Sequence, residues 1–273
     1  MRTNERRRTA LRAALRGGTC VADHRLRMQY LALATDYDGT LAEDGKVRPE
    51  VLAALVRLKE SGRKLVLVTG RELDDLMTVF PALAVFDRVV AENGALLYTP
   101  TPPREHVLAK PPPPEFAVSL RVRGVAPLSC GRVIVATWQP HEQTVLTVIR
   151  EQGLELEVIF NKGAVMVLPS GVNKATGLMA ALDELSIDRA RVVGAGDAEN
   201  DHSLLGACGL GVAVANAVPA LVRRADLVTA GARGQGIIEL CERMLANDLA
   251  DVERRSASLD PVIAPVAAPV VTR

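Results

Sequence analysis

The chain has 273 residues, of which 48% are apolar and 24% charged, enough for one large α/β domain or a core with a smaller insert. With four Phe, three Tyr and one Trp it lacks stacking platforms for single-stranded nucleic acid, and no apolar run reaches the ~20 residues of a membrane span. Its net charge of +1 divides unevenly: eight arginines against Glu5 and Asp23 give residues 1–29 a charge of +6, leaving −5 for the rest, so the body carries no general footprint for nucleic acid.

Residues 1–29 read as a basic extension, either a disordered arm or a short helix around Thr9–Arg16, and Met28 offers an alternative start. They lack the apolar segment of a secretory signal. Cys20, Cys130, Cys208 and Cys241 show no paired spacing, which disfavours a zinc ribbon and reads as thiols in a reducing cytoplasm.

From Tyr30 the pattern becomes regular. YLALATDYD reads as a buried parallel strand, and PEVLAALVRLKESG as a helix opened by Pro49 and stopped at Gly62. KLVLVTG is a second strand, ELDDLMTVF a second helix, and DRVVAENGALLY a strand with a hairpin at Asn93-Gly94. This β-α-β-α-β order predicts a Rossmann-like, doubly wound parallel sheet. The rhythm breaks at TPTPP and KPPPP, within residues 99–114, which read as stiff, irregular chain unable to join a central strand.

A small α+β unit is expected next: a helix near Pro114–Val122, a strand GRVIVATW, a helix HEQTVLTVIREQG and a hairpin ELEVIFNKGAVMVLP. The sheet then resumes with helix NKATGLMAALDELSI, strand RVVGAGD, helix AENDHSLLGAC, strand units GLGVAVANA and ADLVTAG, and helix GQGIIELCERMLAND. The expected division is core at 30–101 and 170–245, insert at 102–169, and a disordered Ala/Pro/Val tail at 246–273.

Four segments carry chemistry. Asp36 and Asp38 follow the first strand, and alternation puts them on one side with Tyr37 opposite. Two adjacent carboxylates repel unless a cation or a proton neutralises one; the bland alternative is an Asp-Gly turn. Thr69, Gly70 and Arg71 follow the second strand, where a hydroxyl and backbone N–H groups can seat phosphate oxygens, or where Thr69 merely caps a helix. Lys174 opens a helix, against its dipole, so an anion nearby would justify it; otherwise it is a solvated lysine. Asp197, Asn200 and Asp201 cluster after the strand RVVGAG and suit an oxygen-preferring ion, although Asp197 could be a helix cap.

Taken together, DYDGT, VTGR, NKATG and GDAEND resemble the four motifs of the haloacid dehalogenase superfamily of phosphohydrolases. An α+β insert between the second and third motifs, preceded by AENGALLY, is similar to the C2 cap of the Cof-like type IIB branch. The resemblance implies a Mg2+-dependent phosphatase acting on a small phosphorylated metabolite, such as a sugar phosphate or a phosphoglycolate-like acid. Asp36 would be the nucleophile, forming an aspartyl-phosphate, and Asp38 the general acid and base. Thr69 and Lys174 would hold the phosphoryl group, with Gly70, Arg71 and Asn200 beside it. Asp36, the Asp38 carbonyl and Asp197 would bind Mg2+, supported by Asn200 and Asp201. A phosphomutase with the same intermediate, or a nucleic-acid end-processing phosphatase using the Arg-rich arm, are the alternatives. A cytoplasmic monomer or homodimer without membrane contact is expected.

Other residues draw blander readings. Trp138 reads as core of the insert rather than a sugar-stacking plate, Lys162 as a solvated turn lysine that could meet a substrate anion, and His141 as polar surface near a helix start, the alternative being a side chain that projects toward substrate. His202 resembles a metal ligand beside Asp201, but a helix would turn it away. His24 and His106 receive no role.

Overall fold

The computed structural model describes residues 28–254. Expectations for residues 1–27, His24 among them, and for residues 255–273 lie outside the described residues.

The core strands are β1 (Ala32–Thr35), β2 (Lys64–Val68), β3 (Arg88–Ala91), β4 (Leu96–Pro100), β5 (Pro103–Val107), β10 (Val192–Gly196), β11 (Leu210–Ala213) and β12 (Leu227–Val228). They form one sheet in the order β12-β11-β10-β1-β2-β3-β4-β5, parallel from β12 through β3, with β4 and β5 antiparallel. The apolar runs are near-continuous because both faces are covered. Leu33, Leu65, Leu67 and Val193 point to one cluster, Ala32, Ala34, Val66, Val68 and Val192 to the other.

Helices α1 (Pro49–Glu60) and α8 (Gly234–Asn247) cover the first face; α5 (Lys174–Leu185), α6 (His202–Ala207) and the short α7 (Pro219–Arg224) cover the second. Helix α2 (Leu73–Val79) follows β2. In α1 the buried residues Val51, Ala54, Leu55 and Leu58 follow helical spacing, each buried Leu contributing ~1.5–3 kcal/mol. The segment PALVRR is only six residues long and shows no helical period, yet Pro219 starts α7 and Leu221 packs it down.

The sheet grows from β1 through β2 to β3 on one side and from β10 to β12 on the other, so the winding reverses between β1 and β10. That is the crevice where open α/β sheets bind ligands. Thr35 is level with Ala195 on β10 and with Leu67 on β2. The residues that follow, Asp36, Asp197 and Thr69, therefore emerge along one edge.

The insert contains α3 (Pro114–Val122), β6 (Ser129–Cys130), β7 (Val135–Trp138), α4 (Glu142–Glu151), β8 (Leu156–Asn161) and β9 (Ala164–Pro169). Its antiparallel sheet, β6-β7-β9-β8, packs one face on α3 and α4 through Phe116, Leu120, Val145, Val148, Val165 and Val167. Alternate residues Ala136, Ala164 and Met166 line the opposite face. Residues 103–107, inside the stretch 102–169 expected to form the insert, pair instead with β4 at the edge of the large sheet. All five are exposed, and an edge strand tolerates proline because one row of its N–H groups goes unpaired. No helix among the described residues is long and apolar enough to cross a membrane.

Candidate active site

β1 ends at Thr35, but Asp36 N–H still bonds the Ala195 carbonyl, so the chain stays extended for another step. Tyr37 turns into the core against Phe80, while Asp36 and Asp38 line the cleft between core and insert, as alternation requires. Gly39 turns the chain at φ +85°, and a Cβ there would meet an Asp197 oxygen at 2.3 Å. Only glycine fits so close an approach.

Lys174 is 1% exposed, and its ammonium donates to Asp36 Oδ1 and to Asp201 Oδ1, each at 2.6 Å. The solvated-lysine alternative is thereby removed. Asn173 caps α5 by accepting from Ala175 and Thr176 N–H, which fixes Lys174 at the first helical position. The other oxygen of Asp201 accepts from the N–H groups of Asp197 and Ala198, both at 2.9 Å. Asp197 is no helix cap: its oxygens accept from Thr40 at 3.3 Å, Asn216 at 3.2 Å and Lys162 at 2.7 Å.

Asp36, Asp197 and Asp201 each offer an oxygen within 4.8 Å of the others, and all three are buried. His202 stands outside this cluster, and burial pushes its imidazole below its usual range. Burial first, and then the charge of Asp201, push Asp36 up from 3.8 to about 7 despite Lys174. Asp197 is also raised, chiefly by burial. Lys174 moves upward because Asp201 and Asp36 outweigh its own desolvation. Three converging carboxylates with one buried ammonium make a donor set of hard oxygens in excess negative charge, which fits a small dication such as Mg2+.

Thr69 is buried three residues before the N-cap of α2, so it does not cap that helix. Its hydroxyl accepts from Arg71 N–H at 3.1 Å and keeps its own proton to donate. Gly70 lines the cleft under Met166. Arg71 grips both oxygens of Asp38, at 2.6 and 2.7 Å, reaches Asp75 and lies 5.5 Å from the centre of the Tyr37 ring. Its pKa rises because these carboxylates favour its charge. Asn200 donates to Asn93 Oδ1 at 3.0 Å, while its own Oδ1 is buried without a partner.

The cleft encloses about 740 Å³. Trp138, expected in the core of the insert, is 52% exposed and lines this cleft. It occupies the last position of a strand whose alternate residues, Ala136 and Trp138, face the cleft. His141 stays within the insert, where its ring contacts the Ala126 carbonyl at 3.0 Å.

The sequence profile of haloacid dehalogenase-like hydrolases matches residues 33–115 and 142–240. The chain belongs to the haloacid dehalogenase-like hydrolases. Its sequence is 33% identical over 222 residues to a phosphoglycolate phosphatase of Methanothermobacter thermautotrophicus, covering 78% of this chain and 98% of that relative. This hydrolase is accordingly an enzyme of the phosphatase type. In fold it is similar to a HAD/COF-like hydrolase from Plasmodium vivax (TM-score 0.68, 18% identity, 82% of this chain and 99% of that one). A subclass IIB sugar phosphatase is similar too (TM-score 0.62, 19% identity, 78% and 97%).

Two features of this hydrolase escaped sequence reasoning. Lys162, read as a solvated turn lysine, reaches across the cleft to Asp197 and to the Asp38 carbonyl at 3.3 Å. Its position at the tip of the hairpin predicted for the insert was the available signal. Glu92 is buried at φ +51°, and its carboxylate accepts from three successive insert N–H groups: Arg132 at 2.7 Å, Val133 at 2.7 Å and Ile134 at 2.9 Å. A Glu in AENGA carries no mark of a partner forty residues away.

Proposed function

We propose that the protein is a Mg2+-dependent cytoplasmic phosphatase that hydrolyses a small phosphomonoester of the phosphoglycolate kind through an aspartyl-phosphate on Asp36. The observation that carries this reading is Lys174, buried between Asp36 and Asp201 beside Asp197. A fully buried cation placed against a strand-end carboxylate suits a site built to receive oxygen charge. The names of the relatives support the substrate class.

In this mechanism an oxygen of Asp36 attacks phosphorus as the bond to the leaving oxygen breaks. Asp38 gives a proton to the departing alkoxide. It then takes one from the water that cleaves the acyl phosphate, releasing inorganic phosphate and restoring Asp36. Arg71 holds both oxygens of Asp38, so that grip must slacken when Asp38 hands a proton to the leaving group. Thr69 and Lys174 orient the phosphoryl oxygens. Asp36, the Asp38 carbonyl and Asp197, with Asp201 and Asn200 in support, would hold Mg2+, whose charge offsets that of the phosphoryl oxygens when bound. The insert roofs the cleft and would limit the access of bulk water to the reacting groups.

Asp36→Asn is expected to abolish hydrolysis of 2-phosphoglycolate while leaving the circular dichroism spectrum unchanged, and EDTA is expected to silence the wild type until Mg2+ is restored. Turnover retained by the variant, or in chelator, would remove the mechanism.

A further inference from the structure

The cations around the cleft are not equivalent. Lys174 is fixed by two buried carboxylates of its own domain, and Arg71 by Asp38 and Asp75. Lys162 comes from the insert, is about half exposed, and spans the cleft to Asp197 Oδ2 and the Asp38 carbonyl. Its Cα is held firmly. Asn161 and Ala164 pair across a two-residue turn in which Lys162 (φ +50°) and Gly163 (φ +88°) both adopt the left-handed region of a hairpin turn. The ammonium sits directly over Gly39, where a Cβ would stand 2.6 Å from it.

Both oxygens that Lys162 touches belong to the set assigned above to Mg2+. A dication and an ammonium repel one another and cannot share them. Mg2+ held by those oxygens would displace the ammonium, while the turn keeps its stem over the same cleft that Asp36 and Asp38 line. Among the described residues of the neighbouring walls, Ala136, Ala164 and Met166 are apolar, Glu72 and Asp75 would repel a second anion, Arg71 is engaged by Asp38 and Asp75, and Asn161, Ser129 and Thr137 offer only neutral donors, so Lys162 is the cation best placed to meet it.

We propose that Lys162 is the specificity-determining residue of the insert, exchanging Asp197 for the carboxylate of a short phosphorylated hydroxy acid. The proposal rests on the function assigned in the preceding subsection and adds the residue that selects the leaving group.

The test compares wild type, Lys162→Met and Lys162→Arg on 2-phosphoglycolate and on 2-hydroxyethyl phosphate, which has the same length and phosphate but an uncharged hydroxyl in place of the carboxylate, at saturating Mg2+. Wild type prefers phosphoglycolate. Lys162→Met lowers the ratio of the two kcat/KM values roughly ten- to hundredfold, mainly through KM for phosphoglycolate, and Lys162→Arg restores part of it. Calorimetry of Mg2+ binding without substrate gives a readout independent of turnover: Lys162→Met binds Mg2+ more tightly, because the internal competitor for Asp197 is gone. A ratio unchanged in Lys162→Met overturns the assignment of Lys162 and leaves the phosphatase reading standing. Unchanged Mg2+ affinity overturns the exchange. A wild type indifferent to the carboxylate overturns both the assignment and the substrate class.

Discussion

Replacing Lys174 by methionine keeps most of the side-chain volume and removes the cation held between Asp36 and Asp201. Both carboxylates stay buried, so the variant loses charge compensation in a place water does not reach. Removing one partner of a buried pair costs about 3–5 kcal/mol. For a domain of this size that lowers Tm by ~6–20 °C. Differential scanning calorimetry in EDTA at pH 7.5 measures it directly. Two internal checks follow from the same geometry. Neutralising a former partner, as in Lys174→Met/Asp36→Asn, recovers part of the loss, with a coupling of ~0.5–3 kcal/mol. The deficit also shrinks at pH 5, where Asp36 takes up a proton and no longer needs a counter-ion. A Tm within ~2 °C of wild type, or two losses that simply add, would mean that Lys174 does not lie between these acids in solution.

The metal-free protein should itself respond to pH. The folded pKa of Asp36 is raised from 3.8 to about 7, so the native state holds a proton that the unfolded chain releases. This contribution to stability is complete below pH ~4 and disappears as pH rises through about 7; urea melts in EDTA at pH 5 and pH 8 read it, and excess Mg2+ flattens the slope by favouring the carboxylate. A rise in stability between those pH values in EDTA would contradict the burial of Asp36. Glu92→Ala strands the N–H groups of Arg132, Val133 and Ile134, at ~1–3 kcal/mol for each one that water cannot reach. Hydrogen exchange at residues 131–134 should accelerate, whereas unchanged protection would deny Glu92 its role in holding the insert to the core.

Local sequence patterns made the central elements legible. YLALAT, KLVLV and RVVGAG are apolar runs bounded by turn residues, and Pro49 and Gly62 bracket a helix whose buried face follows its own period. These signals are strong because they arise from contacts within a few residues and from burial on both sides of a sheet. The edge strand β5 was hidden by its prolines, and Trp138 was misplaced because a large aromatic in a short strand reads as core from either face. Short α7 had too few turns to show a period.

The residue types at residues 36, 38, 69, 174, 197 and 201, and the place of each at a strand end or helix start, follow from the sequence. Their convergence does not, because it is set by strand order: β10 joins β1 only after the insert has intervened, bringing Asp197 and Asp201 beside Asp36 from 161 and 165 residues downstream. Burial then decided their chemistry. The same lysine that a linear reading leaves in solvent becomes, between two desolvated carboxylates, a fixed charge. The reach of Lys162 across the cleft, and the hold of Glu92 on the insert, were likewise settled by packing one domain against the other, an interaction that no window of sequence contains.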